Sequence, residues 1–453
     1  MIGAHEVVER ALAAGRKGDE VVVVVDDTVH AHLRWAGDTA TRAGHVLDRR
    51  VHAVVRTREG TAGVVSASGA LDAAGVSAVV EAATAAARRP DAESAGCLVA
   101  ADRPEAPDWR DPAADAPPDV LAKTAAEVAA AAGDFAARGR VLHGYAEHEV
   151  RTTLLGTTTG LRLRHVQPTA VVDLTARAAQ APASSWAGAE ADVPAALDLP
   201  ALLGSLEQRL DWSARRLDLV PGRYEVLLPP SCTADLMRQL YFSAGAREAE
   251  DGRGPFTGRL GDRLSGQPLT LRSDPGAPGV TCDPFVVARA SGADTSVADN
   301  GLALGPTSWI TDGVLSSLVH TRESAARAGA PVTPRIANLV LEGAARGPSL
   351  PEMIASTRHG LLLTSLWYLR DVDPSTLLMT GLTRDGVHVV RDGEVVGAVD
   401  DFRFNESPLH LLDRVLEVGG PTVALAREWD DERTRTAMPP LRVDGFAAVS
   451  RAA

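Results

Sequence analysis

The chain has 453 residues, with 46 Lys and Arg against 59 Asp and Glu, a formal net charge of −13 and 45% hydrophobic content. It is long enough for two or three domains with cores of their own, too apolar to be disordered, and too acidic to offer a general surface to nucleic acid or anionic lipid. No apolar run approaches the roughly 20 residues of a membrane span, since the strongest, Val21 to Val25, stops at Asp26 and Asp27.

The first residues place apolar positions at helical spacing, and Glu6, Glu9 and Arg10 interrupt what a signal peptide would keep apolar. Strands are predicted over Glu20–Asp27 and again from His30. Arg49–Thr57 and Thr61–Ser68 flank the turn Arg58-Glu59-Gly60, so about four antiparallel strands follow one helix. Leu71–Arg89, rich in Ala and Val, reads as a helix ended by Pro90. Pro104, Pro107, Pro112, Pro117 and Pro118 make the next stretch a surface connection. A second helix is predicted over Asp119–Arg138 with Asp119 as its N-cap. Strands over Val141–Leu155, Gly160–Gln167 and Ala170–Ala178 come next, then a helix over Ala201–Leu217.

Pro221-Gly222 turns into a new strand, which puts a domain boundary near residue 218. The expected fold class is α+β. Residues 1–217 form an N-terminal α+β domain with helices on an antiparallel sheet, and residues 218–453 a β-rich, barrel- or sandwich-like domain. The second half opens with a helix over Thr233–Glu250 and a Gly-rich stretch. Val387–Val399 is its clearest hairpin, with Asp392-Gly393 suited to a type I′ turn.

Familiar chemistry is scarce. Lys17 and Lys123 are the only lysines and neither lies in a Gly-Lys-Ser/Thr motif, which excludes a phosphate-binding P-loop. Neither GxSxG nor a strand followed by GxGxxG occurs. Cys97, Cys232 and Cys282 are widely spaced and odd in number, so they form no CxxC pair or disulfide framework, as expected of a cytoplasmic protein. Cys232 falls near a helix N-terminus, where the dipole favours a thiolate, but reads as a buried small hydrophobe. His143-Gly-Tyr-Ala-Glu147-His148 has one residue too many for HxxEH, and a strand sends Glu147 and His148 to opposite faces. It reads as a solvated strand face. His30 and His32 share one strand face without a third ligand. Trp429-Asp430-Asp431-Glu432, followed by Arg433 and Arg435, reads as solvated surface.

One string carries more. GLLLTSLWYLRDVDPSTLLMTGLTRDGVHVVRDGEVVGAVDDFRFNESP, Gly360 to Pro408, resembles the C-terminal hallmark of the TldD/PmbA family, in its actinobacterial TldE (PmbA-like) branch. Three further blocks resemble the family in the same order: DEVVVVVDDTVHAHLRWAGDTATRAG its first strands, Pro255–Gly266 the segment after its metal helix, and Thr333–Ala345 its Pro-Arg-x-x-Asn strand. The resemblance implies a two-domain fold and a dimer around an inner cleft. It also implies that zinc-bearing members carry HExxxH on a helix, where two His hold the metal and the Glu takes a proton from water.

On the corresponding helix, ADLMRQLYFSAGAREAEDGRGPF, the three positions are Met237, Arg238 and Phe242. Met is a poor zinc ligand, a cationic Arg repels the ion and cannot act as a base, and Phe offers no lone pair. The resemblance therefore implies a zinc-motif-lacking, non-catalytic subunit with no cofactor of its own. Its partner would be a TldD-type zinc peptidase, the heterodimer cleaving unfolded or modified peptides that bind by strand addition. Candidate substrate or partner contacts are Arg238, Arg247, Glu248, Glu250, Asp251, Arg335 and Asn338. For Arg238 a surface or intersubunit ion pair competes with that role, and for Arg335 and Asn338 the satisfaction of backbone groups does. The family also leaves open a self-standing member acting in natural-product biosynthesis on a small modified amino-acid or peptide conjugate, and a chaperone-like binder.

Overall fold

The computed structural model describes residues 2–179, 182–343, 347–428 and 434–451, so the acidic run at 429–433 lies outside the described residues. Helix α1 (Ala4–Ala13) leads into a meander of β1 (Glu20–Ala36), β2 (Thr39–Arg56) and β3 (Thr61–Ser68). Helix α2 (Ala73–Ala87), the short β4 (Glu93–Ser94) and helix α3 (Ala122–Ala137) precede β5 (Arg140–Thr157), β6 (Arg162–Ala178) and β7 (Ser184–Ala191). The seven strands form one antiparallel sheet in the order β4-β3-β2-β1-β5-β6-β7.

Several predicted elements merge. The two runs expected at Glu20–Asp27 and from His30 are a single β1, because β2 and β5 pair with it continuously on both sides. Likewise Gly160–Gln167 and Ala170–Ala178 join into β6 across Pro168. Pairing with β7 starts only at Ala170, so one side of β6 is open where Pro168 lacks its N–H. β7 itself, SSWAGAEA, carries too little β-branched character to be seen in the sequence. Asp119 does not cap α3; its carbonyl closes a turn onto the N–H of Ala122, and the helix starts there. The helix expected over Ala201–Leu217 is α4 (Leu199–Trp212), with Pro200 in its first turn and the Asp198 carboxylate accepting from the N–H of Ala201.

The Val21–Val25 run is explained by burial on both faces. Val21, Val23 and Val25 pack against α1 and α2, while Val22 and Val24 pack against Phe285, Ala288 and Val297 from the second half of the chain. Each buried valine contributes about 1.5–3 kcal/mol. The sheet thereby serves as one wall of whatever lies between the halves.

In the second half, β8 (Gly222–Leu228) runs into α5 (Pro230–Phe242) and the short α6 (Ala246–Glu250). The strands β9 (Thr270–Ser273), β10 (Thr307–Thr311), β11 (Val314–Leu315) and β12 (Asn338–Glu342) belong to a six-stranded sheet, with α7 (Arg322–Ala328) among them. After α8 (Leu350–Ser356) come β13 (His359–Leu363), β14 (Leu366–Asp373), β15 (Leu378–Thr383), β16 (Val387–Arg391), β17 (Glu394–Val399) and β18 (Phe402–Glu406). Helix α9 (Pro408–Leu412), β19 (Val415–Val418), β20 (Thr422–Val423), β21 (Arg435–Met438) and β22 (Leu441–Arg451) complete the described chain. Nine of these strands curl into a half-barrel, ordered β14-β15-β18-β22-β8-β13-β16-β17 with β19 beside β22, and β9 to β12 join β20 and β21 in the other sheet. The β16–β17 hairpin turns on Asp392 (φ 49°) and Gly393 (φ 86°), both left-handed as a type I′ turn demands. The architecture is α+β. Among the described residues no helix is long and apolar enough to cross a membrane.

Candidate functional site

The helix that opens the second half is shorter than the sequence suggested. The stretch Thr233–Glu250 is two helices, α5 and α6, because Gly245 forms a parallel bridge with Val319, and the chain exchanges hydrogen bonds with Val319 from Ala244 and Ala246. A tertiary contact thus takes the turn that would have continued the helix. α5 is buried on nearly every side.

Met237 has no exposed surface and packs in the main core with Leu236, Leu240 and Tyr241. Arg238, which surface pairing would place in solvent, is only 2% exposed, and its guanidinium lies 5.3 Å from the Phe242 ring centroid. A thioether in the core, a cation and a phenyl ring do not fit zinc. Among the described residues no group of three His, Cys, Asp or Glu is placed to hold a metal ion. Cys232, in the first turn of α5, is fully buried and donates to the Leu363 carbonyl at 3.3 Å, and burial pushes its thiol well above the usual range despite the helix dipole.

The C-terminal end of α5 is capped from outside. Arg335 donates to the carbonyls of Tyr241 (3.1 Å) and Phe242 (3.3 Å), lies 4.7 Å and 5.5 Å from their ring centroids, and pairs through Nε with Asp294 at 2.9 Å. The Tyr241 hydroxyl donates to the Ile336 carbonyl and accepts from the Ile336 N–H. Asn338 is fully buried and spends its whole amide on backbone: Nδ2 donates to the carbonyls of Asp274 and Val280, and Oδ1 accepts from the N–H of Asp274. Arg247, Glu248 and Glu250 are exposed on α6. Arg247 borders a small polar pocket with Arg327 and Ser324, Glu250 faces Arg327 at 3.5 Å, and Asp251 pairs with Arg253 at 2.5 Å.

Between the sheet and the second half lies a cavity of about 310 Å³. Arg151 from β5, Arg289 and Arg335 line it together with Asp283, Asp294 and Asp299, and Phe242 brings the end of α5 into its wall. The charges are paired across the halves: Arg151 with Asp283 at 2.9 Å, and Arg289 with Asp26 of β1. Burial would raise the Asp26 carboxyl, but the charge and hydrogen bond of Arg289 and the Thr153 hydroxyl hold it below its ordinary value. Farther along the same sheet, Glu147 and His148 are 4% and 5% exposed, so the solvated face expected there is in fact interior. Glu147 lies 3.0 Å from His30.

The sequence reading missed a strap at residues 424–428 that ties these parts together. The Glu428 N–H donates to Asp235 of α5 at 3.0 Å, and burial pushes the Asp235 carboxyl up to about 8. The Glu428 carboxylate accepts two consecutive N–H groups on the edge of β14, from Tyr368 and Leu369, both at 2.9 Å; Tyr368 at φ 56° makes them converge. Arg427 lies between the rings of Trp186 and Trp367, at 4.8 Å and 5.3 Å, and bonds Asp385 at 2.6 Å. No local spacing connects residues so far apart in sequence.

Residues 221–450 match the profile of the PmbA/TldA metallopeptidase C-terminal domain. The chain belongs to the PmbA/TldD family. Its fold is similar to that of the crystal structure of TldE from Thermococcus kodakarensis, at 14% identity and TM-score 0.79, covering 98% of this chain and 99% of that one. It is also similar to two structures described as putative modulators of DNA gyrase. The one from Thermotoga maritima has 17% identity and TM-score 0.77, covering 98% of this chain and 99% of that one. The one from Bacteroides thetaiotaomicron has 15% identity and TM-score 0.77, covering 99% and 98%. No curated protein matches the sequence.

Proposed function

We propose that this chain is the zinc-motif-lacking, TldE-like subunit of a two-subunit cytoplasmic peptidase, paired with a zinc-bearing TldD-type member of its family and acting on unfolded or modified peptides. The observation that carries this reading is α5 itself. Its three motif positions are a fully buried Met237, a buried Arg238 and a Phe242 stacked beneath two guanidinium groups, which is a packing solution and not a ligand set. The chain's own residues bind and orient. The paired charges of the cavity and the strap fix one wall of a cleft, while the reacting centre belongs to the partner.

The test is co-expression with a zinc-bearing family subunit, followed by purification and metal analysis of the isolated chain and of the pair. The chain alone should carry no stoichiometric zinc and cleave no unfolded peptide, and the pair should do both. An isolated chain with one tightly held zinc defeats the proposal. A self-standing chain that converts a small amino-acid conjugate without a partner favours the biosynthetic alternative.

A further inference from the structure

Arg289 of the cavity wall also leads to a second cluster, on the large sheet. Ser66 of β3 stands directly across from His52 of β2. The Thr57 N–H donates to the Thr61 carbonyl and the Gly69 N–H to the Arg49 carbonyl, each at 2.8 Å, and this sets the alternation between the two strands. His52 and Ser66 therefore form one of the pairs without mutual main-chain bonds, where side chains stand closest. The Ser66 hydroxyl lies 2.7 Å from His52 Nδ1. The other ring nitrogen, Nε2, is buried, has no hydrogen-bond partner, and lies 4.0 Å from Oδ2 of Asp26 on the neighbouring β1. Arg289 and the Thr153 hydroxyl, at 2.6 Å, hold Asp26 as a carboxylate. A carboxylate facing Nε2 favours the tautomer with its proton there, which leaves Nδ1 to accept from Ser66. His52 and Asp26 are 7% and 4% exposed, whereas Ser66 is open to solvent.

We infer that Ser66 is an acyl-accepting nucleophile, with His52 as its general base and Asp26 orienting the imidazole, acting on small carboxylic esters and thioesters. The inference is independent of the zinc chemistry assigned to the partner. Ser66 Oγ bonds to the acyl carbon, its proton passes to His52 Nδ1 and on to the leaving alcohol or thiol, and the carbon–oxygen or carbon–sulfur bond breaks. Water then attacks the acyl-serine, gives its proton to His52, and releases the acid and free Ser66. The Ser66 N–H points off the edge of β3, which β4 covers only at Thr61 and Ala62, so it is placed to donate to the carbonyl oxygen as negative charge builds there. The 4.0 Å between His52 and Asp26 is the open form of a contact that catalytic pairs tighten once substrate is bound. Val64, half-buried two residues earlier on the same face, suits a short acyl chain. Burial first and the charge of Arg289 next hold the His52 ring below its ordinary 6.5; Asp26 opposes them and Arg50 adds a smaller push, so the ring is a neutral base at pH 7.

The experiment treats the full chain, alone and in EDTA, with a rhodamine-tagged fluorophosphonate and locates the adducts by peptide mass spectrometry. Ser68 is the internal control, since it is exposed on the same strand and face, opposite Arg50. Ser66 should be labelled about a hundredfold faster than Ser68, with the rate reaching half its plateau below pH 6.5 as His52 loses its proton. p-Nitrophenyl acetate should release a burst of one p-nitrophenolate per chain, absent in Ser66→Ala. His52→Gln keeps an oxygen for the Ser66 hydroxyl but supplies no base, and should slow labelling about a hundredfold with the melting temperature retained. Arg289→Gln removes the cation beside Asp26 and should move the midpoint of the pH profile upward. Equal labelling of Ser66 and Ser68, or labelling of neither, overturns the inference, and both results come from the unaltered chain. An unchanged rate in a folded His52→Gln chain overturns it too, leaving Ser66 and His52 as a cross-strand hydrogen bond only. The subunit assignment fails on zinc content and this one on labelling, so the two are separable.

Discussion

Asn338 offers a sharp test of whether the family-like strand Thr333–Ala345 touches substrate or holds the fold. Its amide makes three hydrogen bonds with backbone, to the Asp274 carbonyl at 2.5 Å, the Val280 carbonyl at 2.6 Å and the Asp274 N–H at 3.0 Å, with no surface exposed. Asn338→Ala leaves the Val280 carbonyl and the Asp274 N–H without their partner, while the Asp274 carbonyl keeps the N–H of Ala277 at 2.9 Å. At about 1–3 kcal/mol for each of the two orphaned groups, and allowing for incomplete additivity, the loss is roughly 2–5 kcal/mol. Asn338→Asp is nearly isosteric but replaces the donor that served two carbonyl oxygens with an acceptor. It should therefore cost more than Asn338→Ala at neutral pH, although it removes no volume. Calorimetric melting of the wild type and both variants, with peptide cleavage by the pair as a second readout, measures this. Wild-type stability in both variants together with weakened cleavage would refute the structural role and return Asn338 to the substrate.

Met237→Ala should lower stability by about 2–5 kcal/mol, the usual loss for truncating a fully buried methionine, seen as a lower melting temperature, and leave the zinc content of the pair unchanged. Zinc loss without loss of stability would show that α5 serves the metal after all. Asp235 gives a pH signature. Its carboxyl ionises near 3.8 when exposed and is pushed up to about 8 in the fold by burial. The contribution is fully present below about pH 4, where both states are protonated, and is lost as pH rises toward 8, because the unfolded chain ionises first. That span corresponds to roughly 5 kcal/mol as an upper figure. Asp235→Asn keeps an oxygen to accept from the Glu428 N–H and does not titrate, so its stability should fall less between pH 4 and 8 than that of the wild type. Parallel pH profiles would contradict the assignment.

The features legible in the sequence are those set by local rules. Asp392-Gly393 between alternating runs named its hairpin, and Val21–Val25 named a strand, because turn chemistry and β-branched burial act over a few residues. The break between α5 and α6 was not legible, since the cause is Val319, more than 70 residues downstream of Gly245. Nor was the interior position of Glu147 and His148: strand alternation tells which residues share a face but not that the second half of the chain covers one face while helices cover the other. Of the candidate residues, Arg238 and Arg335 meet over the Phe242 ring, Asn338 is spent on backbone, and Arg247, Glu248, Glu250 and Asp251 stand on or next to a separate exposed helix. The strap that carries Arg427 and Glu428 gave no signal, because each of its partners is brought to it by the fold alone.

The most direct test of the central claim is the zinc stoichiometry of the purified chain, measured by elemental analysis alone and after co-purification with a zinc-bearing family subunit. The account predicts no stoichiometric zinc in the chain and one zinc in the pair, retained when Met237 is replaced by Ala. One zinc held by the chain alone, and lost on changing α5, would contradict it.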